Sequence, residues 1–171
     1  MRKIILGLAV SLDGFIEGPN GEYDWCFTDQ DYGMSAFFNR IDAMLIGRKS
    51  YEVLKKADPE TVPFPPLQEY IVSTTMKQAP EGTVLLSGDV GAAVNKIRQS
   101  EGKDIWLFGG AELTASLLRL GLVDELWLSI HPILLGSGKP LFTGLDGRRP
   151  LRLLESKTYD TGLVSVRYAI G

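Results

Sequence analysis

The stretch "DIWLFGGAELTASLLRLG", residues 104–121, changes periodicity in its middle. Ile105 to Gly109 suits a buried strand. After Gly110 an amphipathic pattern sets Leu113, Leu117 and Leu120 on one stripe, which Gly121 ends. Two adjacent glycines at a strand-to-helix junction have two explanations. They permit a tight turn through backbone angles that other residues avoid. Equally, they let a ligand phosphate approach the unpaired N–H groups of a helix N-terminus. The order is not G-x-G-x-x-G, so a standard Rossmann dinucleotide site is unsupported.

Outward from that junction, apolar runs and period-2 alternation predict eight strands: Lys3–Val10, Ala43–Ile46, Glu69–Ser73, Val84–Leu86, Asp104–Phe108, Glu125–His131, Leu151–Thr158 and Leu163–Ile170. Helical spacing predicts helices over Asp31–Arg40 and Arg48–Lys55, another after "GDVG" (88–91), and one after Gly110. Strands alternating with helices imply an α/β architecture of three layers, a mostly parallel sheet with helices on both faces. The last two strands have only "YDTG" (159–162) between them, which predicts an antiparallel hairpin and makes the sheet mixed. "GPNGEYDW" (18–25) and the proline-rich "ADPETVPFPP" (57–66) read as surface loops. No composition shift divides the chain, so residues 1–171 read as one domain.

A formal charge of −3 without long runs of one sign argues against a nucleic-acid partner. No stretch approaches the roughly 18 apolar residues of a membrane span. The apolar run after Met1-Arg2-Lys3 is short and lacks a small-x-small cleavage site, so it reads as a first strand rather than a signal peptide. The lone Cys26 leaves no internal disulfide and fits a reducing, cytoplasmic setting. One histidine and one cysteine make no metal cluster, no Cys–His nucleophile and no serine triad.

Ligands of doubly wound sheets bind beyond the carboxyl ends of the strands, and three strand ends qualify here. "FGGAEL" (108–113) is one. "LIGRKSYE" (45–52) repeats the strand–glycine–helix theme and places Arg48 and Lys49 where cations are unfavourable unless an anion is bound. Arg48 reads either as a phosphate fork or as half of a solvated surface pair. "IVSTTMK" (71–77) offers three hydroxyls, for phosphate and ribose or for capping a turn. On "ELWLSIH" (125–131), Trp127, Ser129 and His131 share one face, which suits a pocket wall. His131 reads as a structural hydrogen-bonder or a catalyst. Asp29 and Asp31 read as acids near an aromatic-rich helix or as favourable charges at its start.

Taken in order, "LAVSLDGFI" (8–16), "LIGRKSYE", "VSTT" (72–75), "WLFGGAEL" (106–113) and "LVDELWLSIHPILLGSGKPLF" (122–142) resemble the dihydrofolate reductase-like superfamily. Within it they are closest to the bacterial branch related to the C-terminal reductase domain of the riboflavin-biosynthesis deaminase-reductase. The resemblance implies a mixed eight-stranded sheet with a C-terminal hairpin, and NADPH across the parallel strand ends. It assigns Ala9 to the nicotinamide and Leu12 to Ile16 to a flexible loop closing over it. Gly47, Arg48, Lys49 and Ser50 would lie beside the adenosine phosphates, Ser73 and Thr74 near the ribose 2′-phosphate. Gly109, Gly110, Ala111, Glu112 and Leu113 would wrap the pyrophosphate. Ser129 would face the substrate, with Trp25 and Phe37 as aromatic pocket residues. Members of this branch often pair, which makes a homodimer an expectation.

The chain departs from both family chemistries on the substrate side. Dihydrofolate reductases carry an acid one helical turn before the pocket phenylalanine, where this chain has Gly33. The riboflavin-pathway reductase has a lysine after Ser-Leu-Asp-Gly, where this chain has Phe15. The expectation is an NADPH-dependent reductase of a small heterocyclic or carbonyl substrate, with Asp31, His131 or water as proton source. The alternatives are a nucleotide-binding or sensing module without turnover, and a structural dimer with a relic cleft.

Overall fold

The first strand, β1 (Ile4–Ser11), sends Ile4 and Leu6 to one side of the sheet and Ile5 to the other, and all three are fully buried. A strand buried on both faces needs cover on both, and the computed structural model, which describes residues 1–57 and 64–171, supplies it. The chain continues through β2 (Phe15–Glu17), α1 (Met34–Arg40), β3 (Ile41–Gly47), α2 (Arg48–Lys56), β4 (Gln68–Val72), β5 (Thr83–Leu86) and α3 (Val90–Gln99). It ends with β6 (Asp104–Gly109), α4 (Ala111–Arg119), β7 (Glu125–His131), β8 (Lys139–Pro140), β9 (Leu151–Thr158) and β10 (Val164–Ile170). Most of the predicted loop 57–66 lies outside the described residues.

The eight-stranded sheet runs β5-β4-β3-β6-β1-β7-β10-β9. Pairings from β5 to β7 are parallel, and β10 is antiparallel to both β7 and β9, so the sheet is mixed as expected. On one face Leu6, Leu45, Leu107 and Leu126 meet Val94 and Ile97 of α3 and Leu113 and Leu117 of α4. On the other, Ile5, Met44, Ile46 and Trp106 meet Phe37 of α1 and Tyr51 of α2. The period-2 pattern of each strand thereby becomes two cores, separated by one sheet.

Two local predictions need correction. The first helix begins at Met34, not Asp31, because Tyr32 (φ 51°) and Gly33 (φ 84°) are both left-handed and cannot continue a right-handed helix. Asp31 instead folds over the helix start, its carboxylate accepting from Ser35 Oγ (2.6 Å), Ser35 N (3.0 Å) and Gly33 N (3.1 Å). Buried Tyr32 is held by its hydroxyl, which donates to Asp29 Oδ1 at 2.6 Å. The second difference is an additional two-stranded sheet, β2 with β8. Strands of three and two residues are too short to show a period, so no local pattern announces them.

At the sheet's amino edge, Glu125 is almost wholly buried and accepts from Lys3 Nζ (2.7 Å) and Arg40 Nη1 (2.9 Å), with Arg167 Nη2 at 3.4 Å. Burial pushes this carboxyl upward, but hydrogen bonds and charge from Arg40 and Lys3 outweigh it and hold it down at about 2. The cluster ties the end of α1 to the residue before β1, to β7 and to β10.

Candidate functional site

Near the carboxyl ends of β1, β6 and β7 the cover thins locally, between buried Ile5 and Leu126 behind and buried Ser11 and His131 beyond. Ala9, Phe108, Trp127 and Ser129 are only half-buried, whereas Ile5, Ile105 and Leu126 further back are buried. Ala9 and Ser129 are register partners on β1 and β7, and Ser165 of β10 pairs with Ser129 from the other side. A cleft floor of small side chains results, which a flat ligand can approach closely.

Beside it, two strand-to-helix turns lie against each other. A Cβ on Gly47 would sit 3.6 Å from the Gly109 carbonyl oxygen and 3.7 Å from the Gly110 nitrogen, and one on Gly110 would sit 3.1 Å from Ser50 Oγ. Gly109 has φ 106°, and the Gly109–Gly110 peptide is cis. The paired glycines therefore serve a turn that needs a left-handed residue and close contact with its neighbour. The same geometry suits an anion. α2 and α4 start at Gly47 and Gly110 with no side-chain cap, whereas Asp89 caps α3 by accepting from Ala92 N at 2.9 Å. Each uncapped start presents free N–H groups and about half a positive charge.

Around these turns the predicted cofactor residues divide by what they can offer. Ala111 and Leu113 are buried, Leu113 in the core under α4, so they present backbone only; Glu112 is exposed. Arg48 is half-buried and donates to Glu52 Oε1 at 2.8 Å, one turn along α2, while Lys49 is exposed. Ser73 is buried and caps its own turn, its Oγ accepting from Thr75 N (3.2 Å) and Met76 N (3.0 Å), which leaves Thr74 exposed.

The loop from Leu12 to Ile16 is tied down. Asp13 accepts from Ser11 Oγ (2.6 Å), Leu135 N (3.1 Å) and Gly136 N (2.8 Å), and the Ser11 hydroxyl in particular holds its carboxyl below the ordinary range. Leu12 N donates to Ile133 O at 2.9 Å, and β2 pairs with β8. Leu12 itself is two-thirds exposed, and Ile16 packs on the core. Sequence reasoning placed these residues by resemblance, as a flexible loop, and missed the role of Asp13, whose backbone donors Leu135 and Gly136 lie more than a hundred residues away.

On the substrate side, Phe37 is buried and meets Trp106 and Trp127 edge-to-face at 5.3 and 5.2 Å. Trp127 donates from Nε1 to Ser165 Oγ at 3.2 Å and carries the Arg167 guanidinium 4.6 Å above its ring. Trp25 stands further out, edge-on to His131 at 5.3 Å. His131 is buried with both nitrogens engaged: Nε2 accepts from Phe27 N at 3.1 Å, so Nδ1 carries the proton and donates to Ser129 O at 2.9 Å. Burial lowers its affinity for a second proton. Asp31 is exposed, and the Ser35 hydroxyl foremost keeps its carboxyl below the ordinary range. Each group considered as a proton source is thus committed to a local hydrogen bond. Sequence reasoning also missed Tyr159, visible only as part of a turn, which approaches Gly33 from the β9–β10 hairpin. Among the described residues no group of His, Cys, Asp and Glu could hold a metal ion, and no helix is long and apolar enough to cross a membrane.

The chain is 43% identical over 177 residues to the uncharacterized protein YyaP of Bacillus subtilis (strain 168), covering 98% of this chain and 94% of YyaP. Its structure resembles that of a candidate riboflavin biosynthesis protein from Shewanella sp. PV-4 (TM-score 0.81, 27% identity), covering 100% of this chain and 99% of the other. It shares its fold with dihydrofolate reductase from Enterococcus faecalis, solved with NADP(H) and RAB-propyl (TM-score 0.72, 13% identity, 99% and 96% coverage). With residues 2–165 matching its pattern from β1 into β10, the chain belongs to the RibD C-terminal domain family.

Proposed function

We propose that this chain is an NADPH-dependent reductase of a small, flat heterocyclic or carbonyl substrate. The observation that carries the proposal is the pair of uncapped helix starts, Gly47 and Gly110, packed against each other at the carboxyl edge of the sheet. Two such ends together suit a pyrophosphate; no acidic side chain stands in the first turn of α2, while the first turn of α4 carries the exposed Glu112. The small floor at Ala9 and Ser129 suits a planar ring. When bound, the nicotinamide would supply the hydride.

The chain's own residues would bind, orient and exclude water. Backbone N–H groups after Gly47 and Gly110 would hold the phosphates. Arg48 would exchange Glu52 for a ribose phosphate, a charge-assisted bond of about 1.5–3 kcal/mol. Asp13 and His131 would keep the 12–17 and 23–27 segments at the cleft mouth, where they exclude water. The lone Cys26, which leaves no internal disulfide, accords with a cytoplasmic setting. A homodimer accords with edge strand β9, which exposes Leu151 and Leu153.

Titration with NADPH and NADH, following nicotinamide fluorescence and melting temperature, tests the proposal. Selective NADPH binding that Arg48→Ala weakens about tenfold more than NADH binding is the expected result. Binding of neither nucleotide overturns it. The committed hydrogen bonds of Asp31 and His131 favour one second reading, a cofactor-binding module without turnover. NADPH binding with no oxidation against pterins, pyrimidines and carbonyls would select it.

A further inference from the structure

We propose that Asn20 is a self-modification site: the backbone nitrogen of Gly21 displaces its side-chain amide, and the turn that holds both residues loosens as the protein ages. The reaction is independent of what binds in the cleft. Asparagine is a thermally labile residue, and the residue after it sets how labile. A following glycine has no Cβ to hinder attack by its own backbone nitrogen on the asparagine side-chain carbon. Of the three asparagines in the chain, only Asn20 precedes a glycine. Asn39 and Asn95 lie inside α1 and α3, and the long side chains of Arg40 and Lys96 follow them.

The turn from Gly18 to Gly21 holds the backbone around the reacting group and leaves the side chain free. Gly21 N donates to Gly18 O at 3.0 Å, Gly18 N to Glu22 O at 2.8 Å, and Asn20 N to Glu22 Oε2 at 2.7 Å. Asn20 is exposed, and among the described residues its side-chain amide has no hydrogen-bond partner. Gly21 is open as well: it sits at φ 79°, and an added Cβ would meet no atom within 4 Å. Freeing the attacking nitrogen breaks one exposed hydrogen bond, which slows the reaction by about tenfold at most. Two aspartates also precede glycine, and donors hold both. Asp13 accepts from Ser11, Leu135 and Gly136, and Asp146 from Arg149. An ionised carboxylate held in this way resists the same attack, because its oxygen leaves only once protonated.

The Gly21 nitrogen loses its proton to hydroxide and bonds to Asn20 Cγ, and the Cγ–Nδ2 bond breaks with release of ammonia. Water then opens the five-membered imide at either carbonyl, so the net change is gain of water and loss of ammonia. One opening leaves an aspartate at position 20. The other leaves an isoaspartate, whose main chain runs through the side-chain carbon and is one methylene longer. Either product sets a new carboxylate beside that of Glu22, which already faces Asn20 N. The isoaspartate also lengthens the path from Gly18 O to Gly21 N, so the turn cannot close as before. The segment joining β2 to Trp25 loses its restraint.

Ageing the purified protein at about 37 °C tests this, with samples taken over days at about pH 8.5 and about pH 6.5. A more acidic species should grow about tenfold faster or more at the higher pH, because the attacking nitrogen must lose its proton. After denaturation, cleavage at Glu17 and Glu22 releases residues 18–22. That peptide alone should carry the small mass gain and accept label from an isoaspartate methyltransferase. Asn20→Gln, which would need a six-membered ring, should form none. Separated by charge and kept native, the acidic species should be cut by chymotrypsin after the exposed Tyr23 severalfold faster than fresh protein. No acidic species, a comparable gain at Asn39 or Asn95, or an unchanged yield in Asn20→Gln overturns the site. Unchanged cutting at Tyr23 overturns the loosening.

Discussion

The backbone N–H of Phe27 ends on the imidazole Nε2 of His131, 3.1 Å away and 104 residues along the chain. A loop that carries Trp25 is thereby hooked to β7 through an acceptor that exists only while the imidazole is neutral. The unfolded chain protonates this histidine near its ordinary value of 6.5, and burial lowers that value in the fold. The unfolded state then binds more protons, so stability is full above about pH 6.5 and falls as pH drops below it. Trp25, edge-on to the same ring, reports the change. Its fluorescence should hold steady from pH 7.5 to 6.5 and shift as the pH falls below 6.5, and His131→Ala should show the low-pH signal throughout. A pH-independent signal in the wild-type protein would mean that the hook does not respond to protonation.

Asp13 joins two loops by accepting from Leu135 N and Gly136 N. Asp13→Ala leaves those donors to solvent and releases the contact between residues 12–17 and 133–140. Limited proteolysis should cut the variant faster within those two segments than elsewhere, with little change in far-ultraviolet circular dichroism. Equal cutting rates in both proteins would assign the restraint to β2–β8 pairing alone.

Gly7 is required by the tip of Phe37, because a Cβ there would come within 2.7 Å of that ring and 3.2 Å of Trp106 Nε1. Gly7→Ala should destabilise the fold by about 1–3 kcal/mol, as overpacking of a filled core does. The displacement of Phe37 passes to Trp127, so the near-ultraviolet dichroism of the tryptophans should change as well. Denaturant unfolding and dichroism of the same samples check both.

Glu125 contributes stability that is present above about pH 4.5 and is lost as pH falls towards 2, because its folded value is depressed. Glu125→Gln leaves Arg40 and Lys3 facing a neutral amide. The cost should be about 2–3 kcal/mol at pH 7, below a fully buried case because Lys3 reaches solvent. Wild-type and variant stabilities should converge near pH 2, and a gap that stays constant from pH 7 to pH 2 would contradict the electrostatic account.

Local periodicity was enough to determine the order of the eight strands of the main sheet and the four helices, and the antiparallel ending. Spacings of two and of three to four residues are set by the backbone itself, so they are legible without knowing any partner. The glycine at each strand-to-helix turn was legible for the same reason. The tertiary structure alone decided what those glycines touch: Gly110 lies against Ser50 because β3 and β6 are neighbours, although 60 positions separate the residues. It also decided that His131 spends its Nε2 on the distant Phe27 backbone, and that Tyr159 stands beside Gly33. A side chain's partner depends on which strands pair and in what register, and that is settled by burying two cores at once rather than by any residue's immediate neighbours.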